Sequence, residues 1–209
     1  SELVAQAILA AGEQHGLPPG FFSMVQGDSV RVGQTLVEHP QLEAVGFTGS
    51  LRGGRALFDT AARRPRPIPV FAEMGSVNPV VISPQALAVR GEAIAEGLVN
   101  SVTLGCGQFC TKPGLVFITR GADADAFLAA LANAVRQSAA GTMLTAGIHE
   151  AFERGRDQLI AIDGVQEIAA APAAATGVAA APSIASVDAS HFRAQPSLAN
   201  EVFGPFVLV

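Results

Sequence analysis

Cys110 lies in the run Gly105-Cys106-Gly107-Gln108-Phe109-Cys110-Thr111, directly after a long apolar stretch. A glycine-rich turn lets the backbone approach a ligand closely. A thiol on such a turn can attack an electrophilic carbon, provided it is exposed and its pKa is lowered. Glu73 closes the apolar run Val70-Phe71-Ala72 and precedes Met74-Gly75. A carboxylate at the C-terminal edge of a parallel sheet stands where ligands bind, and it is placed to act as a general base. Gly46-Phe47-Thr48-Gly49-Ser50, with Gly53 and Gly54 behind it, reads as a strand end, a tight turn and a helix start. The first N–H groups of that helix suit a phosphate, although the run is not the G-x-G-x-x-G dinucleotide fingerprint. Glu201-Val202-Phe203-Gly204-Pro205 sets a carboxylate and an aromatic ring ahead of a Gly-Pro turn, to which composition assigns no role. Cys106 reads as a buried, inert thiol.

The elements that must position these residues follow from periodicity. Apolar residues at helical spacing place helices over 2–14, 30–38, 51–62, 84–104, 123–139 and 149–160. Ser1 can cap the first of them and Gly16 can end it. Short apolar runs place strands at 21–25, 44–47, 68–72 (ending at Glu73), 80–82, 115–119 and 206–209. Residues 169–185 are rich in alanine, with prolines and one glycine, and read as a loop or edge strands. Helix and strand alternating in this way argue for a parallel sheet of βαβ units, hence an α/β fold. The chain opens on a helix with no strand before it and stops on a strand. Both ends read as cut from something longer.

Composition narrows the class. The 209 residues are 49% hydrophobic, enough for a sizeable core. Only 15% are charged, the net charge is −5, and no basic run exists, which disfavours nucleic acid as a partner. No apolar run reaches the roughly 18 residues needed to cross a bilayer. The N-terminus lacks a secretory pattern, so a cytoplasmic, reduced protein is expected. The two cysteines are too close for a comfortable disulfide, and no second cysteine pair completes a zinc site.

Taken together and in this order, the four motifs resemble those of the aldehyde dehydrogenase superfamily, over the whole chain. Phe47-Thr48-Gly49-Ser50 is similar to the turn that packs against the cofactor. Glu73-Met74-Gly75-Ser76-Val77-Asn78-Pro79 is similar to the glutamate motif, Glu-Leu-Gly-Gly-Lys-x-Pro in its commonest form. Gly107-Gln108-Phe109-Cys110 resembles the cysteine motif, and Glu201-Val202-Phe203-Gly204-Pro205 the cofactor-ribose motif. The departures at Met74, Ser76 and Val77, with the stretches 107–113 and 142–145, resemble the α-ketoglutaric semialdehyde (2,5-dioxopentanoate) dehydrogenase branch. Lys112 departs from that branch, where a polar neutral residue is expected.

The resemblance implies a partial Rossmann-like cofactor domain over 1–78, followed by part of an α/β catalytic domain over 79–209. It implies oxidation of an aldehyde, such as 2,5-dioxopentanoate to 2-oxoglutarate, with NADP or NAD and with NADP preferred. Cys110 would form a thiohemiacetal and then a thioester, its own N–H being one candidate donor to the oxyanion. Glu73 would activate the hydrolytic water. Glu201 would hold the nicotinamide ribose hydroxyls with Phe203 packed nearby, and Gly49 and Ser50 would line the cofactor pocket. Arg154, Arg156 and Lys112 are candidates for binding a substrate carboxylate. The family is longer than twice this chain, so the segment alone is expected to be inactive and its parent a homo-oligomer, dimer or tetramer. Three other readings differ in class: a thiol hydrolase pairing Cys110 with His149 or His191, an acyl transferase to coenzyme A, and a non-catalytic piece that binds nucleotide weakly or serves only in assembly. Glu73 counts against the transferase, which generally lacks that base.

Overall fold

In a computed structural model of the chain, which describes every residue except 28 and 173–176, the polypeptide divides into two units, Ser1–Met74 and Gly75–Val209. The sequence placed the change of domain at residue 78.

The first unit holds α1 (Glu2–Gln14), α2 (Val30–Glu38), β1 (Val45–Gly49), α3 (Leu51–Ala62) and β2 (Val70–Met74). Gly16 ends α1 with φ +65°, while its N–H reaches Glu13 O and the next N–H reaches Gly12 O. This pair of bonds satisfies two carbonyls that the helix end would otherwise leave bare, and a left-handed residue suits glycine best. Ser1 makes no side-chain cap bond. β1 and β2 run parallel, joined by α3 as a βαβ unit. The strand expected at 21–25 does not form. No strand among the described residues pairs with it, and the Phe21 ring lies instead over Gly12 of α1. An apolar run becomes a strand only where a neighbour takes its backbone hydrogen bonds. Arg64, 9% exposed, ties the unit together by donating to the carbonyls of His39, Pro40 and Leu42.

The second unit contains β3 (Pro79–Ile82), α4 (Pro84–Thr103), a 3₁₀ turn (Leu104–Gly107), β4 (Leu115–Ile118), α5 (Ala122–Gln137), β5 (Gly141–Thr142), α6 (Ala146–Ile160), β6 (Gln166–Ala170), β7 (Ala179–Ala180), β8 (Ser183–Ser186), α7 (Ala189–Ala194), a second 3₁₀ turn (Pro196–Ala199) and β9 (Phe206–Leu208). Its main sheet has the order β3-β4-β9-β8-β6. The first three neighbour pairs are parallel, but β6 runs antiparallel to β8. The sheet is therefore mixed, not wholly parallel. The alanine-rich stretch also departs from its reading: β6 is an edge strand, but β8 lies inside the sheet, and residues 173–176 fall outside the described residues.

Successive strand residues face opposite ways, and both faces of this sheet are covered. Val116, Ile184 and Val207 pack with Leu98 and Val99 of α4 and Phe127 and Leu131 of α5. Their chain neighbours Leu115, Ala185, Phe206 and Leu208 pack on the other side with Phe152 of α6, Met143 and Leu198. Burying each such large side chain is worth about 1.5–3 kcal/mol, which makes this double-faced core the rigid base of the loops above it. Among the described residues no helix is long and apolar enough to cross a membrane.

Candidate active site

In the first unit, the ladder sets Thr48 opposite Glu73, side by side at the C-terminal ends of two parallel strands. β2 runs one residue past Glu73, so the carboxylate is the last exposed residue of the strand's outward face rather than a residue beyond it. Ser50 opens α3, and its Oγ accepts the Gly53 N–H at 3.1 Å. The Phe47 ring folds back over the turn: a Cβ on Gly49 would come within 2.6 Å of it, and one on Gly53 within 3.1 Å. The turn 48–50 is thus exposed, glycine-lined and backed by an aromatic ring, at a helix N-terminus. That combination fits part of a dinucleotide, because bare backbone can approach it and helix N–H groups favour its phosphates.

In the second unit, Cys110 is an exposed free thiol and Cys106 a buried one. Burial pushes the Cys106 thiol up, against the smaller opposing effect of backbone hydrogen bonds from Ala180 and Gly141. A raised, buried thiol is a poor nucleophile, in line with the inert role expected for it.

The loop that carries Cys110 is fixed from several directions. Gln108 Nε2 donates to Gly105 O at 2.9 Å, and its Oε1 accepts the Leu144 N–H at 2.8 Å. The Cys110 carbonyl accepts from Ser76 Oγ at 2.5 Å and from Asn78 Nδ2 at 2.6 Å. The same amide reaches Ser76 Oγ at 2.7 Å and Lys112 O at 3.1 Å. Asn78 holds a positive φ of 49°, a conformation that asparagine tolerates better than most residues, and Pro79 follows it. No group among the described residues accepts the Cys110 N–H. The thiol therefore stands on a turn whose carbonyl is held and whose amide donor is free, which is the arrangement an oxyanion needs.

The Glu201–Pro205 segment meets this turn. Gly107 has φ +66°, and a Cβ there would strike the Gly204 carbonyl carbon and oxygen. Gly204 in turn lies against the Phe152 ring. The Glu201 carboxylate lies beside Gly75, whose absent Cβ would sit 2.9 Å from Oε2. The cysteine and glutamate-phenylalanine motifs thus touch backbone to backbone, without side chains between them. Gly107→Ala should lower stability by more than about 2 kcal/mol, from left-handed strain plus the clash with Gly204. Denaturant unfolding tests this, and an unchanged midpoint would contradict the contact.

Lys112 corrects an expectation. Named as a candidate for a substrate carboxylate, it is 5% exposed, and its Nζ donates to Val202 O at 3.1 Å and Phe206 O at 2.8 Å. Burial pushes its ammonium down to about 8, opposed by the Glu201 carboxylate. Of the other candidates, Arg156 pairs with Asp157 at 2.7 Å and covers the Phe152 ring, while Arg154 is exposed. The histidines of the hydrolase reading are occupied elsewhere. His149 Nε2 faces Ala179 O at 3.2 Å and Glu153 at 3.7 Å, and the His191 ring lies over Gly164. Sequence reasoning missed Ser76, Asn78 and Gln108 as fixing residues. The Asn-Pro pair was the one visible signal, since it marks an unusual backbone.

Comparison with known proteins shows the family and the fold. The sequence profile of the aldehyde dehydrogenase family matches residues 1–209. Alpha-ketoglutaric semialdehyde dehydrogenase 2 of Azospirillum brasilense is 51% identical over 209 residues, 100% of this chain and 40% of that protein. Alpha-ketoglutaric semialdehyde dehydrogenase of Acinetobacter baylyi is 46% identical over 210 residues, again 100% and 40%. The chain spans about two-fifths of the length of these relatives. An NAD-dependent benzaldehyde dehydrogenase from Corynebacterium glutamicum shares the fold, with a TM-score of 0.74 and 24% identity, over 94% of this chain and 43% of that one. So does proline utilization A from Bdellovibrio bacteriovorus, at 0.81 and 22%, over 100% and 22%.

Proposed function

The chain belongs to the aldehyde dehydrogenase family, and we propose that it supplies the thiol-bearing part of a longer, homo-oligomeric enzyme that oxidises 2,5-dioxopentanoate to 2-oxoglutarate. The observation that carries this reading is the Cys110 turn, with an exposed thiol, a carbonyl pinned by Ser76 and Asn78, and an N–H with no acceptor among the described residues. The choice of substrate rests on the two semialdehyde dehydrogenase relatives, and on the Ser76 and Val77 departures that pointed to the same branch.

Cys110 attacks the aldehyde carbon as thiolate and forms a thiohemiacetal. Its N–H donates to the oxygen as negative charge gathers there. A nicotinamide dinucleotide, NADP in preference to NAD, would when bound supply the acceptor for the hydride that the Cys110 adduct loses in becoming a thioester. Glu73 takes a proton from water, which attacks the thioester and frees the acid and the Cys110 thiolate. Glu201 would offer two carboxylate oxygens to the vicinal ribose hydroxyls, with Phe203 in the same motif to pack nearby. Gly49 and Ser50 offer a bare turn and a helix N-terminus to the dinucleotide.

The test is the absorbance of reduced nicotinamide formed from 2,5-dioxopentanoate by the complete protein carrying this segment, with NAD and NADP in parallel. Formation is expected with both, faster with NADP. No formation with this substrate or with a simple aliphatic aldehyde would refute the reading.

A further inference from the structure

Lys112 has no part in the mechanism above, yet it is the most deeply buried charged residue of the second unit. Burying an ammonium is costly unless its donors are satisfied. Two of its three donors go to carbonyls at both ends of one short segment, Val202 and Phe206. Between them lie Phe203, Gly204 and Pro205, and just ahead lies Glu201. The ammonium's backbone is also held, through Asn78 Nδ2 on Lys112 O. Lys112 thus connects three segments far apart in sequence, around Asn78, Cys110 and Glu201.

A second observation concerns charge. Val77, Lys112 and Glu201 line one small cavity of about 10 Å³. Lys112 brings an ammonium to that cavity. Burial pushes the Lys112 ammonium down, and the Glu201 carboxylate opposes that push.

We infer that Lys112 is a positioning residue for Glu201: its buried ammonium braces the 202–206 turn at both ends, beside a cavity that Glu201 also lines, fixing where Glu201 presents its oxygens to the cofactor ribose. This rests on the reading of Glu201 as the ribose-binding residue. Lys112 touches neither substrate nor thiol sulfur in this role, so its loss should weaken cofactor binding and spare the nucleophile.

The experiment is calorimetric titration of the complete protein with NADP and NAD, together with the alkylation rate of Cys110 by iodoacetamide in the absence of cofactor. Lys112→Gln keeps a donor for one carbonyl and removes the charge; Lys112→Met removes both. If the methionine variant does not fold, the glutamine variant carries the test. Lys112→Gln should weaken cofactor binding about tenfold while changing the alkylation rate less than about twofold. In a Glu201→Gln background the same change should cost less than about twofold, because its target is gone. Unchanged affinity in Lys112→Gln, when Glu201→Gln alone weakens binding, overturns the positioning role only. An equal loss in both backgrounds, or a matching change in alkylation, means general loosening and overturns it too. Unchanged affinity in Glu201→Gln removes the ribose reading itself, and this inference with it.

Discussion

Cys110→Ala in the complete protein should lower kcat/KM for aldehyde oxidation by at least about 10⁴-fold, because the proposed thioester forms on this thiol. Cys106 is the internal control. It lies 7% exposed in the second core cluster, and burial pushes its thiol up. Cys106→Ala should therefore keep most of the activity. Only the exposed thiol of Cys110 should react quickly with iodoacetamide, and alkylation should abolish turnover in parallel with loss of that thiol. Full activity in Cys110→Ala would remove the covalent mechanism, whatever the fate of Cys106. A large loss in Cys106→Ala with Cys110 still reactive would instead place chemistry on the buried thiol.

Glu73→Gln should separate the two halves of the reaction. The amide cannot take a proton from water, so thioester hydrolysis should slow by about 10²–10⁴-fold while thioester formation survives. Rapid mixing should then show a burst of reduced nicotinamide of about one equivalent per site, followed by a nearly flat line. A steady rate equal to that of the unaltered protein would assign the base elsewhere. Loss of the burst itself would move Glu73 to an earlier step, the activation of the thiol. Its place in the ladder opposite Thr48 makes glutamine a small perturbation, since the side chain points outward from the strand.

Much of the fold was legible where the apolar pattern was strong and long. The helices at Glu2–Gln14, Pro84–Thr103 and Ala122–Gln137 and the strands at Pro79–Ile82 and Leu115–Ile118 fall within a residue or two of their expected places. Pro84–Thr103, Ala122–Gln137 and Leu115–Ile118 each bury a clear stripe or face, whereas Glu2–Gln14 buries only Ala5 and Gly12. The pattern failed where burial was not written in large side chains. β8 is an inner strand, yet reads Ser-Ile-Ala-Ser, because small residues fit between neighbouring layers. The run at 21–25 failed for the opposite reason: it is apolar but has no strand among the described residues to pair with. Cys110 and Glu73 were found as residue types in suggestive local settings. Lys112 was misread because its partners are two backbone carbonyls, and carbonyls carry no sequence signature. Ser76 and Asn78 escaped for a similar reason, since what they hold is the Cys110 main chain.

The bonds from Lys112 to Val202 and Phe206 join residues 90 and 94 positions apart. Closing a loop of that size costs chain entropy before any contact repays it, and pairings of long range form slowly. A ribosome makes the chain from the N-terminus at about 5–20 residues per second, so Cys110 leaves it several seconds before Phe206 does. During that interval the buried ammonium has no carbonyls to hold, and Gly107 has no Gly204 to rest against. The turn that carries Cys110 is thus translated early and completed late, by the order of synthesis.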